Sequence, residues 1–190
     1  MLWSLLLLAC ENPGHKAARV VPALERVNPS WGAEPVDCDI VHPSPSQKLG
    51  CAYKSLSCNE SIEGTTEGGP KKFGDDFYQQ GQCTPQRNDY EDSPEAIYRL
   101  RVKPNTQVDL RLDSNCAELD LVAMSWPEDR CPTIKHTNQI SRECEMNTSN
   151  DGGTLVLTTV KNTQTYLIVV DGKNGQKGNF RLDVQCRTYR

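Results

Sequence analysis

Nine cysteines carry most of the chemistry that this sequence offers. Cysteine binds metal, attacks as a nucleophile or oxidises to a disulfide, and spacing helps to decide among these. Zinc sites draw on close pairs such as C-x2-C. Here the closest pair, Cys51 and Cys58, has six residues between its members, and His136 lies between Cys131 and Cys144. A reducing cytosol rarely tolerates so many thiols. Disulfides in an oxidising compartment are therefore expected in preference to a zinc site.

Other side chains offer less. A nucleophile needs a base held close to it. The chain has three histidines, His15, His42 and His136, and no Gly-x-Ser-x-Gly elbow. The adjacent carboxylates Asp75-Asp76 and Glu91-Asp92 are candidates for acid–base work. Neighbouring side chains usually diverge, however, and these read as solvated loops, so no enzyme is expected. Calcium wants several oxygen ligands. Asp75, Asp76 and Asp171 form one candidate set, and Asn147, Asn150 and Asp151 another. Neither matches a D-x-D-x-D-G loop, and Asp and Asn also serve turns by bonding their own backbone. Turn roles are favoured, with no cofactor expected and calcium the weaker alternative. Trp31, Trp126 and tyrosines such as Tyr78 are candidates for a sugar-stacking platform. The competing reading of Trp126, beside Pro127, is an anchor packed under a loop. Asn59-Glu60-Ser61 and Asn147-Thr148-Ser149 match glycosylation sequons, which would matter only for a eukaryotic source.

The N-terminal run Met1–Cys10 is apolar and too short to span a bilayer, which needs about 20 residues. It suits the apolar part of a secretory signal. Leu7-Leu8-Ala9-Cys10 resembles a bacterial lipobox, which implies cleavage after Ala9 and lipid modification of Cys10. Several acyl chains on one residue anchor far better than one, since each buried methylene contributes roughly 0.8 kcal/mol. Setting Cys10 aside leaves an even eight cysteines. No Lys or Arg precedes the apolar run, which points to a start upstream or a trimmed chain. The organisation expected is a signal at residues 1–9, a Pro-rich tether or cap at 10–55, and a domain at 56–190. The expected location is the bacterial cell envelope, at the outer membrane or cell surface through the lipid on Cys10, and otherwise secreted or periplasmic.

The elements that would position these residues are strands. Tyr166–Val170 is an unbroken, β-branched run that suits a strand buried on both faces. Phe180, Leu182, Val184 and Cys186 alternate with polar residues, the period of a strand with one wet face. Glycines at 172, 175 and 178 let the chain reverse between them, so a hairpin is expected over Tyr166–Cys186. Ala96–Lys103 and Val108–Asp113 alternate in the same way. Leu119–Met124 reads as a more buried strand, Thr154–Val160 as another, and Ile62–Thr66 as a short first one. Phe73–Cys83 reads as a loop with aromatic anchors, and Trp126–Met146 as a long polar excursion. About seven or eight short strands with little helical period predict an all-β, jelly-roll-like sandwich of antiparallel strands.

Composition agrees. The chain of 190 residues is 36% hydrophobic and 24% charged, with 12 Pro, 13 Gly and a net charge of −4. That is globular and loop-rich, with no basic field for nucleic acid.

Several strings carry a family resemblance: Cys58-Asn59-Glu60-Ser61-Ile62-Glu63-Gly64-Thr65-Thr66, Asp75-Asp76-Phe77-Tyr78 with Cys83, Pro94-Glu95-Ala96-Ile97-Tyr98-Arg99-Leu100, Leu119-Asp120-Leu121, and Thr165–Gly172 with Gly178–Leu182. Over about Leu56–Cys186 the chain resembles the bacterial pre-peptidase C-terminal domain, in its cysteine-bearing, myxobacterial-type versions. The resemblance implies a small β-sandwich that rides beside exported enzymes as an accessory or binding module, with a polysaccharide or protein ligand. No enzyme domain accompanies it here, so a stand-alone surface lipoprotein is expected. In that family the Cys131–Cys144 pair is local. Cys58–Cys186, Cys83–Cys116 and Cys38–Cys51 complete one hypothesis among the 105 pairings that eight cysteines allow. Cys58–Cys186 would tie the terminal strands.

Overall fold

The computed structural model describes residues 35–46, 49–80, 89–144 and 152–189. Expectations resting on His15, Trp31, Cys10, Cys83, Asn147, Asn150 and Asp151 lie outside the described residues.

The architecture is the expected all-β sandwich. Among the described residues there are nine strands: β1 (Lys54–Leu56), β2 (Glu60–Thr65), β3 (Ala96–Val102), β4 (Thr106–Asp113), β5 (Leu119–Ser125), β6 (Arg142–Cys144), β7 (Thr154–Thr159), β8 (Gln164–Gly172) and β9 (Asn179–Thr188). They form two sheets, ordered β1-β3-β8-β5-β6 and β2-β9-β4-β7. All pairings are antiparallel except β1 with β3. The three-residue strands β1 and β6 were not legible as elements, because so short a piece shows no period.

The main core lies between the sheets, where Tyr98, Leu100, Val108, Leu110, Leu121, Ile168, Val170, Phe180 and Leu182 meet. A second core covers the outer face of the five-stranded sheet. There Ile97, Val122, Met124, Leu167 and Val169 pack under Phe73, Phe77, Tyr78, Tyr90 and Trp126. β8 feeds both cores, and this is why Tyr166–Val170 is continuously apolar. The anchors Phe77 and Tyr78 belong to a short helix, α1 (Asp75–Gln80), where a loop was expected. The stretch after Trp126 also carries a 3₁₀ turn, Ile134–Gln139, with buried Thr137.

The stretch Tyr166–Cys186 is not a hairpin. β8 pairs with β3 and β5, whereas β9 pairs with β2 and β4, so residues 173–178 carry the chain from one sheet to the other. Period and turn residues mark a reversal, but they do not say in which sheet the chain resumes.

The disulfides also differ from expectation. Cys58 is bonded to Cys186 (Cα–Cα 5.3 Å), as the antiparallel register of β2 with β9 requires when it is extended two residues beyond Glu60↔Val184. Cys38, however, is bonded to Cys116 and Cys51 to Cys131, over sequence separations of 78 and 80. The pairs Cys38–Cys51, Cys83–Cys116 and Cys131–Cys144 therefore do not form. Cys144 is disulfide-bonded, but not to Cys131. Geometry explains the change. Cys116 precedes β5 and Cys131 follows it, and a strand of this length spans about 20 Å. Residues 38–51 thus run from one end of β5 to the other, and Cys38 and Cys51 are too far apart to bond each other.

This strap is packed against the sandwich. Val36, Cys51 and Ala52 are buried. Asn115 holds Val36 at both its amide and its carbonyl (2.9 and 3.1 Å). Asn179 Nδ2 donates to the Ile40 and Asp37 carbonyls at 2.8 and 3.0 Å. Gly50, at φ +69°, brings the strap so close to Asp129 that an added Cβ would lie 2.2 Å from its carbonyl oxygen. The boundary expected at residue 55 falls inside β1.

Candidate functional site

Two features stand out where α1 covers the five-stranded sheet: a row of buried carboxyls and, beside it, an open groove. The row follows from register. Asp120 on β5 lies opposite Asp171 on β8, and the β3–β8 register continues to place Glu95 opposite Asp171. All three side chains lie on the α1 side of the sheet, because Val122, Val169 and Ile97, two residues away along each strand, do so. Glu95 and Asp171 have no exposed surface, and Asp120 is buried.

Like charges directly opposite each other in a sheet are destabilising, and burial penalises each charge further. The structure answers with hydrogen bonds and protons. The Tyr78 hydroxyl donates to Asp171 Oδ2 at 2.7 Å, and the Gly172 amide donates to Asp171 Oδ1 at 2.8 Å. The Tyr90 hydroxyl donates to Asp120 Oδ2. Glu95 Oε1 accepts the Lys72 and Phe73 amides at 2.9 and 2.5 Å, while Oε2 has no hydrogen-bond partner among the described residues. Desolvation pushes the Glu95 carboxyl up to about 8 against these two amide bonds. Desolvation, with Glu95 nearby, also holds Asp171 well above the usual carboxylate range. Burial and the adjoining acids raise Tyr78 as well. The row is a closed, hydrogen-bonded node that fixes α1 and its aromatics to the sheet, and two of its three acids, Glu95 and Asp171, are held toward their neutral forms.

The groove is open. It has a volume of about 620 Å³ and runs between α1 and the segment Arg130–Ile134, with the Cys51–Cys131 disulfide beneath it. Phe77, Pro132 and Ile134 supply apolar wall, Lys72 and Arg130 positive charge, and Asp76 and Glu91 negative charge. The Arg142 guanidinium stacks over the Phe77 ring at 5.0 Å.

The structure disperses the residues expected to act. Trp126 is 4% exposed and donates its Nε1–H to the Arg130 carbonyl at 2.7 Å, while its ring meets His136 edge-on at 5.1 Å. Tyr78 is fully buried in the carboxyl row. Neither offers a face to a ligand, and both are anchors, because the polar tip of each is satisfied from inside. Asp75, Asp76 and Asp171 do not converge. Asp75 Oδ1 accepts the Tyr90 amide at 2.8 Å, Asp76 lines the groove, and Asp171 lies under Tyr78. Among the described residues, no three His, Cys, Asp or Glu side chains group to hold a metal. His136 Nδ1 accepts the Thr133 amide at 3.0 Å, and its nitrogen is thereby committed to the 3₁₀ turn.

Glu95 and Asp120 were missed as a unit with Asp171. The readable signal was a lone acid set against an apolar run in each strand: Pro94-Glu95-Ala96-Ile97, Leu119-Asp120-Leu121 and Val169-Val170-Asp171. That they fall in one row is a property of strand register, which no single strand contains.

No family model and no curated protein matches the chain. Among solved structures, it is similar to the pre-peptidase C-terminal domain of collagenase from Bacillus anthracis, at 11% identity and a TM-score of 0.42, over 77% of this chain and 100% of that one. It is also similar to PliG from Aeromonas hydrophila, a periplasmic lysozyme inhibitor of g-type lysozyme, at 12% identity and a TM-score of 0.39, over 74% and 98%. Likenesses at this identity leave function to the chain's own residues. Three long-range disulfides suit an extracellular or periplasmic setting. No helix among the described residues is long and apolar enough to cross a membrane.

Proposed function

We propose that this is an exported, lipid-anchored surface protein whose sandwich binds a partner without catalysing a reaction, with the groove between α1 and Arg130–Ile134 as the binding locus. One observation carries the reading. The titratable groups beside the groove are committed to structure: Glu95 to two backbone amides, Asp171 and Asp120 to tyrosine hydroxyls, and His136 to a turn. What remains available is a shaped, mixed-charge, partly apolar surface, which suits recognition. Lys72 and Arg130 opposed to Asp76 and Glu91 favour a protein segment, and the inward-facing Trp126 and Tyr78 weigh against a sugar platform. The same groove serves the second reading, an accessory module for a separately encoded secreted hydrolase.

The test is a binding array of peptides, proteins and glycans probed with the wild-type chain and with Ile134→Asp. Ile134 is 39% exposed, so the variant should fold normally. Protein binding by the wild type and a loss of at least about tenfold in the variant support the groove. Glycan binding indifferent to Ile134 overturns it. Palmitate labelling that is equal in the wild type and in Cys10→Ala would remove the anchor, and a calorimetric titration with calcium tests that alternative directly.

A further inference from the structure

A sheet edge with unpaired N–H and C=O groups is a template for another strand, and natural proteins blunt such edges with charge, proline, bulges or shortness. Three of the four edges here are blunted. β1 and β6 are three residues long, and β2 carries Glu60 and Glu63. β7 is not. Its six residues, Thr-Leu-Val-Leu-Thr-Thr, contain no charge and no proline, and among the described residues it pairs with β4 alone.

The direction of its backbone groups is set by register. Leu112 and Gly153 exchange both backbone hydrogen bonds, at 2.8 and 3.1 Å. Along this antiparallel ladder the bonded pairs recur at Leu110↔Leu155 and Val108↔Leu157. The N–H and C=O groups of Thr154, Val156 and Thr158 therefore point away from β4, to an edge that no other described strand pairs. These are also the exposed side chains of the strand, and Val156 is 54% exposed.

The sequence of this edge is a palindrome. Thr154-Leu155-Val156-Leu157-Thr158 reads the same in both directions. A two-fold axis through Val156 sets Val156 against Val156 and Thr154 against Thr158 on the outer face. It sets Leu155 against Leu157 on the core face. Threonine and β-branched pairs of this kind are favourable cross-strand neighbours, and no like charges meet. The register also obeys the ladder, because the three outward-directed residues face one another as hydrogen-bonded pairs.

We propose that β7 is a homodimerisation edge: two copies of this chain pair antiparallel through Thr154–Thr158 about Val156, joining their four-stranded sheets into one eight-stranded sheet. The interface is isologous, as a two-fold dimer requires. It is shorter than a standard interface of about 1,200–2,000 Å², so the dimer exchanges with monomer.

Sedimentation equilibrium on the oxidised full chain, from roughly micromolar to millimolar, tests this. A monomer–dimer equilibrium is expected, with amide exchange at Thr154, Val156 and Thr158 slowing as the dimer fills. Val156→Lys places two ammonium groups across the axis and should raise the dissociation constant at least about tenfold. Val156→Pro removes an outward-pointing donor while leaving every bond to β4 in place, and should do the same. Circular dichroism and the melting temperature of dilute monomer verify that both variants fold. A chain that stays monomeric throughout, or a dimer that neither substitution weakens, overturns the proposal.

Discussion

The two outer faces of the sandwich are built on opposite plans. The face of β3, β8 and β5 is roofed by α1, Tyr90 and Trp126, with a row of buried acids beneath the roof. The face of β9 and β4, which the strap covers only at the Asn179 end, carries no helix or aromatic cluster among the described residues. Its outward side chains form a lattice of ion pairs: Arg181 with Asp113 at 2.9 Å, Arg111 with Asp113 at 2.8 Å, and Arg187 with Asp109 at 2.5 Å. Acids occur on both faces, but they are handled differently. On one face the carboxylates pair with arginines, and on the other burial raises Glu95 and Asp171 above the ordinary carboxylate range. The roofed face should therefore respond to packing and pH, and the bare face to salt.

The largest expected effect tests the roof. Phe77→Ala removes a ring that packs against Phe73 (4.6 Å between centroids) and Tyr78 (5.9 Å). Truncating a buried phenylalanine costs about 3–5 kcal/mol. A fall in melting temperature of about 10 °C is expected by calorimetry. A fall of a degree or two would mean that the roof contributes little.

An intermediate effect separates the faces by pH. In the folded chain Glu95 titrates at about 8 against the ordinary 4.5. Between these values the unfolded chain has released a proton that the folded chain keeps, so stability falls as pH rises through this window and levels off above it. Asp171, also raised, adds to the fall in the same sense. Glu95→Gln keeps an oxygen for the Lys72 and Phe73 amides and cannot ionise. Relative to wild type, it should gain about 3 kcal/mol at pH 8 over its standing at pH 5, or roughly 8 °C in thermal melts. Parallel pH profiles for the two chains would show that Glu95 does not titrate in this window.

The smallest effect belongs to the bare face. Arg187→Ala breaks the pair with Asp109, which is partly exposed. Less than about 1 kcal/mol is expected in dilute buffer, vanishing near 1 M salt. Urea titrations at low and high salt measure it, and a loss that survives high salt would erase the contrast between the faces.

The contrast itself was partly legible beforehand. β9 and β4 alternate along the chain, whereas Tyr166–Val170 of β8 and Leu121–Met124 of β5 are unbroken apolar runs, so one outer face had to be wet and the other covered. What does the covering was not legible. α1 is six residues long and carries no helical period of its own; it is held by Phe77 and Tyr78. The row of carboxyls needs three strands in register, and the link from β8 to β9 crosses between sheets that are locally alike. Cys58 and Cys186 are related by extending one register. Cys38 and Cys51 look like neighbours in the sequence, yet the strap between them is as long as the strand it runs beside.

That strap also governs how the molecule would bear tension. Among the described residues, Cys38 is the first covalent tie reached from the N-terminal side. A pull arriving there is divided between the loop before β5, reached through Cys116, and the strap that leads on to β1. The shortest covalent route onward to Cys186 runs along residues 38–58 and across the Cys58–Cys186 bond, bypassing residues 59–185. While oxidised, the chain can lengthen under force only by the slack in that short route. Reduction would release the full contour length of the sandwich, so its mechanical extensibility is set by redox state as much as by the strength of its sheets.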